Sequence, residues 1–202
     1  MDTRHLTENF AKRRITVKTF HSFQQIKYYL LATIPLTSTV GIGNSQTLKG
    51  FGITQALQQR GHIVYDKTLA TTPAQITDMK KKSLLADCYI SSANAISQDG
   101  RIINIDHSGN RVAAIAYGPD KVYIVVGKNK ITPTYTEALH RARHTAAPLN
   151  AKRAGYHPPC LATGHCVDCL SPERVCHHVS ITEGQHIPNR LELLIASEDA
   201  GF

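Results

Sequence analysis

Four of the five cysteines of this 202-residue chain lie within seventeen consecutive residues, with the spacing Cys160-x5-Cys166-x2-Cys169-x6-Cys176. The Cys-x-x-Cys pair places two sulfurs on one turn, where both can bind a single ion, and two further thiols can complete a tetrahedral shell. Prolines and a glycine interrupt the segment and make a helix unfavourable, so we expect a loop that wraps around the ion. The pattern predicts one metal centre at these four cysteines.

Three chemistries compete for this cluster. Disulfides are disfavoured because nothing in the sequence indicates secretion, and unliganded thiols would crowd reactive groups without a reason. Both zinc and a four-iron cluster fit four thiolates. Zinc is slightly favoured, since the chain has no second cysteine cluster to continue an electron path and lacks the close cysteine run of bacterial ferredoxins. Flanking histidines could replace one ligand: His157, His165, His177 and His178.

A shell closed by four thiolates leaves no open position for a substrate, so other residues must meet it. The segment GIGNSQT, residues 41–47, runs from a predicted strand into a predicted helix. Its glycines allow close backbone approach, and Ser45 and Thr47 add hydroxyl donors, which together suit an anion. The alternative is an ordinary strand-to-helix turn with either hydroxyl as N-cap, and the sequence leaves both open.

Two more polar loops follow predicted strands. NIDHSGNRVAA, residues 104–114, brings Asp106, Asn110 and Arg111 together, and VGKNK, residues 126–130, ends on Asn129 and Lys130. Ligands of parallel α/β sheets bind beyond the carboxyl ends of the strands, so these loops can converge on a carboxylate or phosphate. Turn chemistry and surface charge are the alternative explanation.

The elements that would position these loops alternate between strand and helix. Apolar runs predict strands over residues 38–43, 62–66, 88–91, 102–106, 121–127 and 190–196, with a hairpin turn at Asp99-Gly100. Helices are predicted twice within residues 4–33, over 45–61, over 72–87 with Thr72 as N-cap, and from about 134 with a disturbance at Pro148. This order predicts an α/β fold with a mostly parallel sheet and helices on both faces.

We divide the chain accordingly into two parts. Residues 1–36 are expected to form N-terminal helices packed on an α/β domain of residues 37–202. The cysteine-rich segment, residues 157–178, is expected as an insertion before the last strand rather than as a domain of its own.

Composition narrows the classes of protein. Lysine and arginine number 23 against 15 acids, but the basic residues are dispersed and no aromatic residues interleave with them, so we do not expect nucleic-acid binding. No apolar run is long enough for a membrane helix, and the N-terminus does not resemble a secretory signal. A cytoplasmic protein is expected.

Several motifs carry a resemblance when taken as a set. VGIGNSQTLKGFGI, NAISQDGRIINIDHSGNRVAAIAYGP, KVYIVVGKNKI, APLNAKR and CVDCLSPERVC resemble the LUD-domain family of lactate-utilisation proteins, in the branch with a C-terminal four-cysteine segment. The resemblance runs from about residue 10 to the last strand. It implies a fold similar to the superfamily of CoA-transferases, ribose-phosphate isomerases and glucosamine-phosphate deaminases.

The resemblance also implies site residues. By matching position, the pocket would comprise Gly43, Ser45, Thr47, Asp106, Asn110, Arg111, Asn129 and Lys130. CoA-transferase relatives use a glutamate, and no glutamate lies in these loops. Asp106 is the only acid there, which makes it the candidate general base.

Three functions remain open after the resemblance. The first is an accessory or redox subunit for oxidation of L-lactate to pyruvate, working with iron–sulfur subunits of that system. The second is an enzyme of the isomerase or CoA-transferase type that acts on a small anionic metabolite, with a structural metal. The third is a protein that senses an organic acid.

Overall fold

A six-stranded parallel sheet forms the centre of the molecule. The computed structural model describes residues 3–202, so the first two residues of the predicted N-terminal part lie outside it. The sheet contains β1 (Thr16–Phe20), β2 (Val40–Ile42), β3 (Val64–Asp66), β4 (Cys88–Ser91), β7 (Lys121–Gly127) and β10 (Leu191–Ala196). Its spatial order is β1-β10-β7-β4-β2-β3, and every neighbouring pair is parallel.

Helices cover both faces of this sheet. They are α1 (Arg4–Lys12), α2 (Phe23–Thr33), α3 (Gln46–Gly50), α4 (Ile53–Arg60), α5 (Pro73–Leu84) and α6 (Asn110–Ala116). Three further helices lie elsewhere: α7 (Tyr135–Arg141), α8 (Ala147–Arg153) and α9 (Cys160–Thr163). Within residues 3–202 no helix is both long and apolar enough to span a membrane.

The central strands are buried from both sides. Alternate residues of β7 enter different cores: Tyr123 and Val125 pack with α2, α3 and α4, whereas Val122 and Ile124 pack with α1 and α6. This two-sided burial explains why β7 and β10 are continuous apolar runs rather than alternating ones. The predicted fold class is confirmed.

A second, four-stranded sheet of order β8-β5-β6-β9 packs beside the first. It consists of β5 (Ala95–Ser97), β6 (Ile102–Asp106), β8 (Ile131–Thr132) and β9 (His178–Thr182). β5 and β6 form the predicted hairpin, whose turn holds Gly100 at φ +96°. The alanine-rich faces of α7 and α8 cover this sheet. The chain therefore passes from β6 in this second sheet to α6, which packs on the six-stranded sheet.

Four sequence predictions differ from the structure. β1 lies between the two N-terminal helices and pairs with β10, so residues 16–20 belong to the sheet. The predicted helix over 45–61 divides at Gly52, which has φ +64°. A π-helical turn over Ala142–Ala146 disturbs the long helix, and Pro148 sits in the first turn of α8, where its missing N–H is tolerated.

The cysteine-rich segment is the fourth difference. It contains the short helix α9, although its prolines and glycine made a helix unfavourable. The four residues of α9 end at Gly164, whose φ of +73° stops the helix after one turn. The segment leads into β9, which pairs with β6, so an additional strand separates it from β10.

Candidate functional site

A large cavity lies at the carboxyl ends of the parallel strands. It has a volume of about 400 Å³ and is lined mostly by polar side chains. Its lining includes Asn44, Ser45, Gln46, Lys67, Lys80, Ser92, Asn94, Asp106, His107, Ser108, Asn110, Arg111, Lys130, Asn150, Arg153, Tyr156, Val175 and Phe202. Five cationic side chains face one carboxylate, which makes this pocket suited to anions.

The structure brings together five of the eight predicted pocket residues. Ser45, Asp106, Asn110, Arg111 and Lys130 line the cavity. The other three predicted residues do not line the cavity: Gly43, Thr47 and Asn129. Ser45 and Lys130 converge because β2 and β7 are parallel and their carboxyl ends lie at one edge of the sheet. Asp106, Asn110 and Arg111 follow β6 of the second sheet, which packs beside the first.

Gly43 is buried against the protein itself. A Cβ at this position would lie 2.5 Å from Ser91 Oγ and 3.0 Å from Tyr89 Oη. The residue is therefore a glycine because two neighbouring side chains of β4 approach its backbone closely. Its role is to let the Asn44–Gln46 loop reach the pocket.

Replacing Gly43 by alanine should destabilise the fold by about 1–3 kcal/mol, because the new methyl group has no room. The matched control is Gly50→Ala in α3, where no atom lies within 4 Å of the new Cβ. That control should be neutral or stabilise by about 0.5 kcal/mol. Urea unfolding of both variants measures the difference, and equal stabilities would contradict the close approach.

Lys130 is a buried cation that has no carboxylate partner among residues 3–202. Its side chain sits in the 3₁₀ turn after β7 and is only 4% exposed. The ammonium donates to Thr47 Oγ1 at 3.0 Å, Ser92 Oγ at 3.1 Å and the Ala93 carbonyl at 3.0 Å. Burial, with Arg141 and Arg111 nearby, lowers the pKa of Lys130 to about 7. A bound anion would relieve this desolvated charge.

Thr47 and Asn129 support Lys130 and the C-terminal residues rather than the cavity. Thr47 Oγ1 donates to the Ala200 carbonyl and accepts from Lys130. The Asn129 side-chain oxygen accepts from Ala200 N, and its amide donates to the Gly201 carbonyl. These contacts place Phe202 in the pocket wall, which means that residues after β10 help to shape the site.

Arg111 is held firmly by its own neighbours. Its guanidinium donates to the Ser92 and Ile105 carbonyls and to the side-chain oxygens of Asn104 and Asn94. With these N–H groups engaged, Arg111 supplies positive potential to the pocket and braces three chain segments.

Asp106 caps the start of α6. Its carboxylate accepts from the backbone N–H groups of His107, Arg111 and Val112. Negative charge at a helix start is favourable, which gives this acid a structural role. General-base work by Asp106 stays a prediction, and those backbone bonds compete with it.

The four predicted metal ligands surround a second, smaller cavity of about 20 Å³. Cys160, Cys166, Cys169 and Cys176 all line it, and burial together with the other three sulfurs raises the pKa of the Cys160 thiol. Arg174 lies among them and donates to Cys176 Sγ at 3.3 Å. Within residues 3–202, no three His, Cys, Asp or Glu side chains are arranged closely enough to coordinate a metal ion in this conformation. The fifth cysteine, Cys88, is buried in β4 and lines neither cavity.

A family model described as the LUD domain matches residues 3–196. The chain belongs to the LUD-domain family. A solved structure of a DUF162 family protein from Deinococcus radiodurans is similar over 98% of this chain and 99% of its own, with a TM-score of 0.54 and 16% identity. At that identity the likeness shows the fold, and no curated protein matches the chain.

Sequence reasoning missed much of the cationic lining of this LUD-domain protein. Lys67 follows β3 directly, so the rule that located Lys130 could have found it. Lys80 lies on α5 and Arg153 at the end of α8, and only tertiary packing brings these helices to the pocket. His107 and Tyr156 also line it, with ring centroids 5.3 Å apart, and burial followed by repulsion from His177 and Lys80 lowers the pKa of His107.

The two cavities of the LUD-domain protein share a wall. Val175, which directly precedes the predicted metal ligand Cys176, is buried and lines both. α8 also contributes to both, through Ala151 on one side and Arg153 on the other. The order of the cysteine-rich segment therefore affects the shape of the anion pocket.

Proposed function

We propose that this LUD-domain protein is an accessory subunit for oxidation of L-lactate to pyruvate and binds a small organic anion in the large pocket. The observation that carries the proposal is the excess of cations in this cavity, five against one carboxylate. Lactate and pyruvate are small carboxylates, and a site with this potential concentrates such anions. Family membership supplies the connection to lactate utilisation.

The deep end of the pocket suits the carboxylate. Lys130 lacks a charged partner there, and Ser45 and Ser92 place hydroxyl groups on the same wall. A carboxylate beside Lys130 would replace one of the three neutral acceptors of its ammonium and accept a charge-assisted hydrogen bond, which is stronger than a neutral one. Asn94 and Asn110 offer neutral polar groups for a hydroxyl or keto oxygen.

We propose that the four cysteines hold one zinc ion. The cavity of about 20 Å³ admits roughly one water-sized sphere, which suits a single ion better than the eight atoms of a four-iron cluster. Zinc would neutralise the crowded thiolates and fix residues 157–178 against α8. Because zinc is not redox-active, electrons from lactate would pass to iron–sulfur partner subunits; a four-iron cluster in this chain is the alternative.

Lys130 also supports a second candidate, an enzyme of the isomerase or CoA-transferase type acting on a small anionic metabolite. An amine with a pKa of about 7 exchanges a proton readily at neutral pH, which suits a general base. Ser92 Oγ lies 3.1 Å from this amine and lines the pocket, so a proton could move between the two groups.

Calorimetric titration of the anaerobically purified protein with L-lactate, pyruvate and acetyl-CoA tests these proposals together with elemental analysis. Saturable binding of L-lactate or pyruvate and one zinc per chain are expected. About four irons with a broad visible absorption band would assign the redox role to this chain instead. Binding and turnover of the thioester, with no response to lactate or pyruvate, would reject the accessory role in favour of the enzyme.

A further inference from the structure

Three cations at the mouth of the large pocket have no carboxylate partner among residues 3–202, and two of them have uncharged hydrogen-bond partners. Lys80 Nζ donates to Ser108 Oγ at 3.1 Å, and Arg153 donates to the Asn150 side-chain oxygen. The Lys67 ammonium makes no hydrogen bond or ion pair with any residue in the described range 3–202. We call Lys67, Lys80 and Arg153 the mouth cluster. All three line the cavity.

The two nearest carboxylates are already occupied. Asp66 accepts from Thr54 Oγ1 and from the N–H and hydroxyl of Thr68. Asp106 accepts from three backbone N–H groups at the start of α6. Burial and then repulsion from Lys80 lower the pKa of Lys67, and Arg153 adds to this repulsion. The mouth cluster thus concentrates positive charge that no carboxylate of residues 3–202 pairs with directly.

The mouth cluster is separate from Lys130. The charges that act on Lys67 are those of Lys80, Arg153 and the two aspartates, whereas Lys130 responds to Arg141 and Arg111. Lys67 follows β3 and Lys130 follows β7, three strand positions apart in the sheet. At about 4.8 Å per strand, their backbones are roughly 14 Å apart. One cavity therefore contains two cationic ends.

We propose that the ligand of this pocket carries a phosphate group, which binds the mouth cluster while a carboxylate at its other end reaches Lys130. The proposal rests on the function proposed above only for the carboxylate end. L-lactate, with six non-hydrogen atoms and one charge, occupies the deep end alone. A phosphate ester adds a charge near −2 and three strong acceptor oxygens, which match three converging cations better than a second carboxylate does.

Paired probes that differ by the phosphate test this proposal. Calorimetry compares D-glycerate with 3-phosphoglycerate, and inorganic phosphate with chloride, on the intact protein. We expect 3-phosphoglycerate to bind at least about tenfold more tightly than D-glycerate, since even one charged hydrogen bond has this effect. Lys67→Gln and Lys80→Gln should remove most of this gain.

The matched control is Lys81→Gln, which changes an exposed lysine next to Lys80 that does not line the pocket. It should leave the extra affinity for 3-phosphoglycerate unchanged. If Lys67→Gln folds poorly, Lys67→Arg serves as the second variant and should retain this extra affinity, because it keeps the positive charge. Equal affinity for the two glycerates, or a Lys67→Gln variant that behaves like Lys81→Gln, overturns the proposal. If L-lactate binds but 3-phosphoglycerate binds no more tightly than D-glycerate, only this proposal is overturned. If 3-phosphoglycerate binds more tightly and L-lactate does not bind, this proposal is supported and lactate is rejected as the metabolite.

Discussion

Replacing Lys130 by methionine is expected to lower affinity for carboxylate ligands by at least about tenfold, because a charged hydrogen bond deep in the pocket is lost. Methionine nearly preserves the volume of the lysine side chain. The variant should fold, since the change removes a buried cation that has no carboxylate partner. Thr47 and Ser92, whose hydroxyl oxygens lie 3.4 Å apart, can still bond to each other. Calorimetry with pyruvate measures the loss.

The same lysine predicts a dependence on pH. The fold lowers the pKa of Lys130 from 10.5 to about 7, so the unfolded chain binds more protons between these values. Stability should therefore rise with pH across this window, relative to the methionine variant, by up to about 5 kcal/mol at 1.4 kcal/mol per pKa unit. Anion binding should change in the opposite direction and weaken by up to about tenfold per pH unit above 7, because the ligand favours the ammonium form.

Lys128→Met is the matched control for both measurements. Lys128 begins the same 3₁₀ turn but is exposed and lines no described cavity. Its replacement should leave affinity and the pH profile as in the unmodified protein. If both methionine variants bind pyruvate equally well, Lys130 is not the deep contact.

Replacing Cys166 or Cys169 by serine should remove the metal and loosen residues 157–178. A tetrahedral thiolate site loses most of its affinity with one ligand, and structural zinc contributes to folding directly. Most side chains of this segment are exposed or half-buried, with Val175 as a buried contact, so the loss of order should stay mainly local. The zinc content measured by elemental analysis should fall from one per chain to nearly none. Amide hydrogen exchange should accelerate throughout residues 157–178, including Val175.

Cys88→Ala provides the control for the cysteine variants. This residue is buried in β4 away from the cluster, so its loss should reduce overall stability modestly while the zinc content stays at one per chain. Treatment of the unmodified protein with a chelator should reproduce the serine variants. Unchanged metal content in Cys169→Ser would reject the four-cysteine site.

Strand ends were the most predictable part of the site. Ser45 and Lys130 follow parallel strands of the main sheet, whose carboxyl ends meet at one edge, so sequence order sufficed to group them. Asp106 and Arg111 follow β6 of the second sheet, and only the packing of that sheet beside the first brings them to the same pocket. The grouping of the four cysteines around one small cavity was predictable from thiol chemistry and the Cys-x-x-Cys spacing, which acts over a short stretch of chain.

The direction in which side chains point and the packing of elements distant in sequence were not predictable. Thr47 and Asn129 belong to the right loops but face Lys130 and residues 200–201, since side-chain direction depends on contacts with the distant C-terminal residues. Lys80 and Arg153 come from helices whose local patterns carry no sign of a ligand. β1 was missed because its strand lies at the sheet edge and pairs with residues about 175 positions away.

The amino-acid sequence by itself determined the α/β class, the family and the residue types at the strand ends, because apolar periodicity and local spacing act over short stretches of chain. Only the tertiary structure decided that Lys130 is buried without a carboxylate, that the mouth cluster lies across the pocket from it, and that Val175 joins the two cavities. Burial and charge proximity depend on which helices pack over which strands, and that information is spread over the whole chain.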